Sequence, residues 1–423
     1  MWTLKPPLLF CLLAIEILAV GYAPSSWASP QFTGRVAVLG ALAHADADQA
    51  GSKKGKDTYL NANQQGLRLM LDDTSPQDQW SIHLRTVRQY VENYPTSNLH
   101  SSDLFRAKTL SDDWTDTSPN TQTKIGYEID RAVYKTQIPQ ISKLFGDASA
   151  SASIGRQPID WGAGRFWQPM NVFGSFAPTD LDTDFKPGID AATLDFYPSA
   201  FSSLTAAYVF SSDAQTLSKG KTNVALHYRA QVGDVSELGL IAADVLDNRI
   251  YGGSFETSWQ GMGFRVEGTR THDKNAKRDY NFWIAGIDYQ FDNGILIAGE
   301  VYNNERGAEN VSQLNTVASQ SWYRYGLLPQ LSRQLAGVSI QKDVIPLWQV
   351  QYLLLSSWLK DSRQDTEASW LNQINATYSV SNESSLLISA LFTNGKGLTS
   401  NQQLQSEFGA VPLSVTAKFV MYF

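Results

Sequence analysis

The last eleven residues, 413–423, alternate strictly. Leu413, Val415, Ala417, Phe419, Met421 and Phe423 fall on one side, and Ser414, Thr416, Lys418 and Tyr422 on the other, with Val420 the one apolar intruder. Successive side chains of a strand point to opposite faces, so this segment has one greasy face and one mostly wet face. At a tilt of roughly 45° such a strand is about long enough to cross the hydrocarbon core of a bilayer. Lipid leaves no water for an unpaired backbone edge. A strand of this kind can therefore sit in a membrane only as part of a closed barrel.

The same pattern recurs along the chain. Strands are predicted at 32–43, 58–71, 79–90, 124–138, 149–157, 188–197, 201–210, 222–231, 236–246, 249–259, 262–271, 281–291, 295–302, 334–344, 347–359, 369–380, 385–393 and 413–423. That is about 18 strands, or 16 if one hairpin is misread. Trp80, Ile82 and Leu84 alternate with Ser81, His83 and Arg85, and Met262, Phe264 and Val266 with Gly263, Arg265 and Glu267. Period-2 patterning with one charged face suits a wall between lipid and a wet lumen. The segment 124–138 fits less well, since it places Arg131 on the apolar side unless a bulge intervenes. Connections alternate between short ones, such as Gln260-Gly261 and Asp292-Asn293-Gly294, and long ones near 91–123, 158–187, 303–333 and 394–412. A propeller or solenoid would instead repeat itself every ~40 residues or less, and no such period is visible.

Residues 1–28 read as a secretory signal, with Lys5, an apolar run from Leu8 to Val20 broken by Glu16, and Ser26-Trp27-Ala28 before the cleavage point. This leaves 29–423 as one barrel domain. The single Cys, Cys11, departs with the signal, which excludes thiol catalysis and Cys-ligated metal from the remainder. The net charge of −7, with no basic stretch, argues against a nucleic-acid partner.

With Phe419, Met421, Tyr422 and Phe423 closing the chain on an aromatic end, the sequence resembles a Gram-negative outer-membrane β-barrel of the porin type. The resemblance implies an all-β, transmembrane antiparallel barrel in the outer membrane. It further implies that the barrel-assembly machinery reads the terminal strand, and that small hydrophilic solutes are the cargo. It is compatible with a homotrimer, and it calls for no cofactor.

The most unusual stretch is the third long connection, 158–187, which carries Trp161, Phe166, Trp167, Phe173 and Phe176. Loops this long are usually functional or disordered, and five large aromatics argue against disorder. The stretch resembles the inward-folded third extracellular loop that narrows general porins. In that family acidic loop residues face a basic wall. Here the loop offers Asp160, Asp180, Asp182 and Asp184, with Arg156, Arg165 and Lys186 alongside. Strand parity puts Arg68, Arg85, Arg229 and Arg265 on the lumen face. Opposed charges of this kind set a transverse field across a pore. The plainer reading is a packed surface loop whose carboxylates are merely solvated, with Arg156 and Arg165 as bidentate structural partners.

The other motifs are weak. Asp180, Asp182 and Asp184 are spaced like the start of a calcium loop, but Phe185 stands where Gly is needed and Ala191 where Glu is needed. No metal site is therefore assigned. The five His, at 44, 83, 100, 227 and 272, lie in no context that marks a catalytic base. No catalytic residue is assigned, and the chain is not read as an enzyme. Three alternatives to a diffusion channel stand beside it: an exporter of acidic polysaccharide, a plugged surface-binding or adhesion barrel, and an outer-membrane hydrolase.

Overall fold

A computed structural model describes residues 30–53, 55–92, 101–107, 112–116, 123–141, 147–211 and 223–423. The leader read at 1–28 lies outside them. The strands are β1 (Gln31–Ala45), β2 (Thr58–Thr74), β3 (Asp78–Val91), β4 (Asp112–Asp116), β5 (Thr123–Gln137), β6 (Ser149–Gln157) and β7 (Ile189–Ser199). They continue with β8 (Ser202–Val209), β9 (Asn223–Val232), β10 (Ser236–Val245), β11 (Asn248–Trp259), β12 (Met262–Asp273) and β13 (Arg278–Gln290). The last six are β14 (Leu296–Asn304), β15 (Gln334–Ile345), β16 (Trp348–Lys360), β17 (Thr366–Ser379), β18 (Ser384–Asn394) and β19 (Leu413–Tyr422). Every named pairing is antiparallel, and β19 pairs with β1 to close an 18-strand barrel. The nineteenth strand, β4, arises inside the connection after β3 and lies along the upper half of β5. Strands spaced ~4.8 Å apart and tilted by ~40° enclose a tube roughly 35 Å across. That is too wide for wall side chains to fill.

The outer face is apolar because one parity of each strand is apolar. Val38 and Leu42 of β1, Ile82 and Leu84 of β3, Leu226 of β9, Val266 of β12, Ile287 of β13 and Phe419 of β19 share it, and many are exposed to more than 40%. So large an apolar surface suits hydrocarbon. Aromatics gather near its edges, with Trp259 and the Trp348–Tyr378 pair toward the short-turn end and Tyr251, Trp283 and Trp370 nearer the long-loop end. Among the described residues no helix is long and apolar enough to cross a membrane, which says nothing of a barrel.

Two local features explain how polar residues reach the inner face. The β3–β5 register slips between His83 and Leu84, so His83 lies opposite Arg131 and Leu84 opposite Ile129. This bulge leaves Asp130 unpaired in the ladder and turns both Asp130 and Arg131 inward, which resolves the parity conflict in that strand. At the seam, Gly34 and Phe423 exchange backbone hydrogen bonds of 2.7 and 3.0 Å. The Phe423 ring lies where a Cβ on residue 34 would stand, 2.2 Å from its nearest atom, so glycine is the residue that admits it.

Candidate functional site: the loop inside the barrel

The connection between β6 and β7 runs around the inner wall. Its aromatic ring contacts begin at β9, where Trp161 stacks on His227 with centroids 5.0 Å apart. Residues 163–170 lie against β12, β13 and β14. The carbonyl of Thr179 then accepts from Gln373 on β17 at 3.2 Å, and that of Leu181 from Lys418 on β19 at 2.6 Å. Asp182 reaches Arg35 on β1, and Phe185 lies under Arg68 of β2 and beside His83 of β3. Only a segment inside the tube can touch these strands in succession. The loop is thus a belt that narrows the lumen.

Two wall carboxylates hold its first half. Glu267 on β12 accepts backbone N–H bonds from Ala163 (2.6 Å), Gly164 (3.1 Å) and Met170 (2.5 Å). Glu300 on β14 accepts from Arg165 (3.0 Å), Phe166 (3.2 Å) and Trp167 (2.9 Å). The irregular loop has no ladder in which to spend these donors, and leaving them buried and unpaired is costly. Trp167, 1% exposed, and Phe166 then pack against Ile284, Tyr302, Leu335, Leu353 and Leu355 of the wall. Met170 and Phe173 join a second cluster with Leu104, Phe105 and Ile241.

The second half is pinned by charge. Asp182 accepts from Arg35 at 2.7 and 3.1 Å and lies 3.3 Å from Lys418. Asp184 accepts from Arg35 at 2.8 Å and from the Tyr422 hydroxyl at 2.7 Å. Burial works to raise the Asp182 carboxyl, but its bond to Arg35 and the Lys418 charge outweigh it and hold the group below the usual carboxylate range. Phe185 sits 4.2 Å from the Arg68 guanidinium, with Arg35 at 5.7 Å and Arg131 at 5.9 Å. A ring under guanidinium groups is a favourable cation–π arrangement. The aromatic that breaks the calcium spacing therefore acts as a peg.

The remaining predicted residues are placed as follows. Asp160 keeps 55% of its side chain exposed and takes an ion pair from Lys186 at 3.0 Å and a bond from Asn171. Burial draws the Lys186 ammonium down to about 8, against the pull of Asp160 in the other direction. The Asp180 carboxylate accepts the Ala177 N–H at 2.7 Å and so closes a local turn. Arg156 grips Asp190 of β7 at 2.7 and 3.1 Å, and Arg165 grips Asp288 of β13 at 3.0 and 3.3 Å. Both are bidentate, to carboxylates of the wall rather than of the loop. Of the four wall arginines, Arg68 pairs with Asp130 and Arg85 with Glu128, each at 2.7 Å. Arg265 pairs with Asp288 at 2.6 Å, and Arg229 with Glu237.

The structure therefore differs in arrangement from a gap between an acidic loop and a basic wall. The loop carboxylates Asp182 and Asp184 make contact pairs, and their partners are Arg35 and Lys418 rather than Arg68, Arg85, Arg229 or Arg265. Arg106, from the connection after β3, completes a buried network by donating to Glu128 (2.8 Å), Asp130 (3.1 Å) and the Gly188 carbonyl (2.7 Å). Lys418, Arg35, Arg68, Arg85 and Arg131 line β19, β1, β2, β3 and β5. Glu237, Glu256, Glu267, Asp288 and Glu300 line β10–β14 on the far side.

The sequence matches no family model and no curated protein. Solved structures do match across nearly its whole length. OccAB4 of Acinetobacter baumannii aligns with a TM-score of 0.57 and 9% identity, covering 93% of this chain and 98% of that one. OccD3 (OpdP) of Pseudomonas aeruginosa aligns with a TM-score of 0.55 and 10% identity, covering 93% and 91%. OccK8 (OprE) of Pseudomonas aeruginosa aligns with a TM-score of 0.53 and 8% identity, covering 93% and 98%. The chain has the closed antiparallel barrel fold of these Pseudomonas and Acinetobacter proteins.

Proposed function

We propose that this chain is an outer-membrane channel for passive diffusion of small hydrophilic solutes, narrowed by the loop 158–187. The observation that carries this reading is the belt itself. It is seated on carboxylates, aromatic clusters and arginines around the inner wall, inside a tube too wide to be filled by side chains. A loop fixed in this way narrows a pore without having to move, and polar groups on both walls offer partners to a hydrated solute in transit. The apolar outer belt supports membrane insertion through the strands, and the shared fold supports the outer membrane as its location. The long loops then face outward and the short turns face the periplasm. Arg85 and Arg131 on one flank and Arg229, Glu237 and Glu256 on the other keep part of their side chains exposed and form the polar lining. Asp160, with Lys186 paired to it, and the part-exposed Asp182 and Asp184 are the loop's contribution to the aperture.

Swelling of liposomes that contain the purified barrel tests this reading. Neutral sugars should enter at rates that fall with size, faster than into empty liposomes. Impermeability to the smallest sugar would remove the diffusion channel and favour a plugged barrel.

A further inference from the structure

We propose that the outer surface of β11–β13, at the long-loop rim, is a seat for the phosphate of a lipid headgroup, formed by Arg249, Arg270 and His272. The proposal rests on the membrane placement argued above. Period 2 puts these residues on the same face as Tyr251, Phe255 and Trp259 of β11, Val266 of β12, and Trp283 and Ile287 of β13, all exposed. The register groups them. Arg249 lies opposite His272, Tyr251 opposite Arg270, and His272 opposite Asp279.

Their height is set by the strand. Ten residues separate Trp259, at the short-turn end of β11, from Arg249. At ~3.3 Å per residue and ~40° of tilt that is roughly 25 Å, the height of the apolar band of such a barrel. The cations thus stand at the upper edge of the band, just above the Tyr251 ring. The strands are joined here by short turns at 246–247 and 274–277, which leave the rim uncovered. The Arg270 side chain is 68% exposed and that of His272 47%.

At this rim Arg249, Arg270, Lys274, Lys277 and Arg278 stand against Asp244, Asp247, Asp273 and Asp279, one cation in excess in a chain whose net charge is −7. Asp279 bridges Arg270 (2.6 Å) and His272 (2.7 Å), and Asp244 takes Lys274 at 2.8 Å. Arg249 is exposed and, among the described residues, makes no side-chain hydrogen bond or ion pair. A guanidinium beside hydrocarbon is best satisfied by a bidentate anion, and a headgroup phosphate is the anion found at that depth. Asp279 preorients Arg270 and His272, and Arg249 supplies the open donor.

The test uses the folded barrel in detergent, titrated with phosphatidic acid or phosphatidylcholine and read by native mass spectrometry. Phosphatidic acid should be retained in preference. The double variant Arg249→Gln/Arg270→Gln should bind it about 30-fold more weakly, at ~1 kcal/mol for each cation. Lys342→Gln, near the short-turn end of β15, should not change binding. Equal retention by the double variant overturns the proposal. So does displacement of the lipid by inorganic phosphate, which would mark a free-anion site. Cross-linking of Arg249→Cys to a second barrel in intact membranes would show that another copy covers the face, and would also overturn it. Because binding is read in detergent, its failure is distinct from failure of the chain to fractionate with the outer membrane.

Discussion

Replacing Glu267 and Glu300 with Gln should loosen the belt while leaving the barrel closed. A carboxamide keeps one oxygen and puts an NH2 in place of the other. In Glu267→Gln the less costly orientation keeps the oxygen that serves Ala163 and Gly164 and turns the NH2 toward the Met170 N–H. That leaves one buried donor unsatisfied, at about 1–3 kcal/mol, and converts two charge-assisted bonds to neutral ones at roughly 1 kcal/mol each. Each substitution therefore costs about 3–5 kcal/mol of loop seating, a factor of at least ~150 in the seated-to-released ratio. The two seats are adjacent and share the segment 163–170, so the double variant should cost less than the sum. The assay pairs limited proteolysis of the loop with single-channel recording. Retained heat-modifiable gel migration would show that the barrel itself is intact. The double variant should be cleaved within 158–187 and should show noisier or larger conductance. Protease resistance and conductance identical to the parent would refute the idea that these carboxylates hold the loop.

Three further outcomes are expected. Asp182→Asn/Asp184→Asn leaves the charges of Arg35 and Lys418 without their loop carboxylates, so the reversal potential in a salt gradient should move toward anion preference; an unchanged potential would take these residues out of the pore. Lys186, drawn down to about 8, carries its charge below that pH and loses it above. Because its folded value is depressed, the protonated form costs stability, fully present below about 8 and relieved as the pH climbs toward the ordinary lysine range. Selectivity should therefore step between pH 7 and 9 and the step should vanish in Lys186→Met; a parent with no step would contradict this. Phe423→Ser removes the ring seated over Gly34 and should lower the yield of assembled barrel in the membrane, whereas a normal yield would count against a role in closure.

Much of the wall was legible because lipid imposes a period. Each strand must present one apolar face outward, and that parity located the 18 wall strands and turned Arg68, Arg85, Arg229 and Arg265 inward. Parity does not reveal what a residue will touch. Glu267 and Glu300 read as ordinary wet-face carboxylates, because the N–H groups they accept lie about a hundred residues or more away in sequence. Arg35 falls inside the first expected strand, 32–43, and Lys418 is one more wet position of the last. Neither position carries a sign of Asp182. Strand β4 is only five residues long and pairs along one side of β5. It has too few residues to show alternation. The bulge at Asp130 was visible as an anomaly at Arg131, since an arginine on a lipid face is costly enough to demand a change of register. The aromatics of the long loop marked it as packed, but which wall they pack against is tertiary information.

The most direct test of the account is single-channel recording of the purified, heat-modifiable barrel in a planar bilayer. Stepwise conductance with a reproducible unit size is expected, with an ion preference that responds to Asp182 and Asp184. Silence from correctly folded protein would contradict it, because a belt seated against the wall should narrow the lumen without closing it.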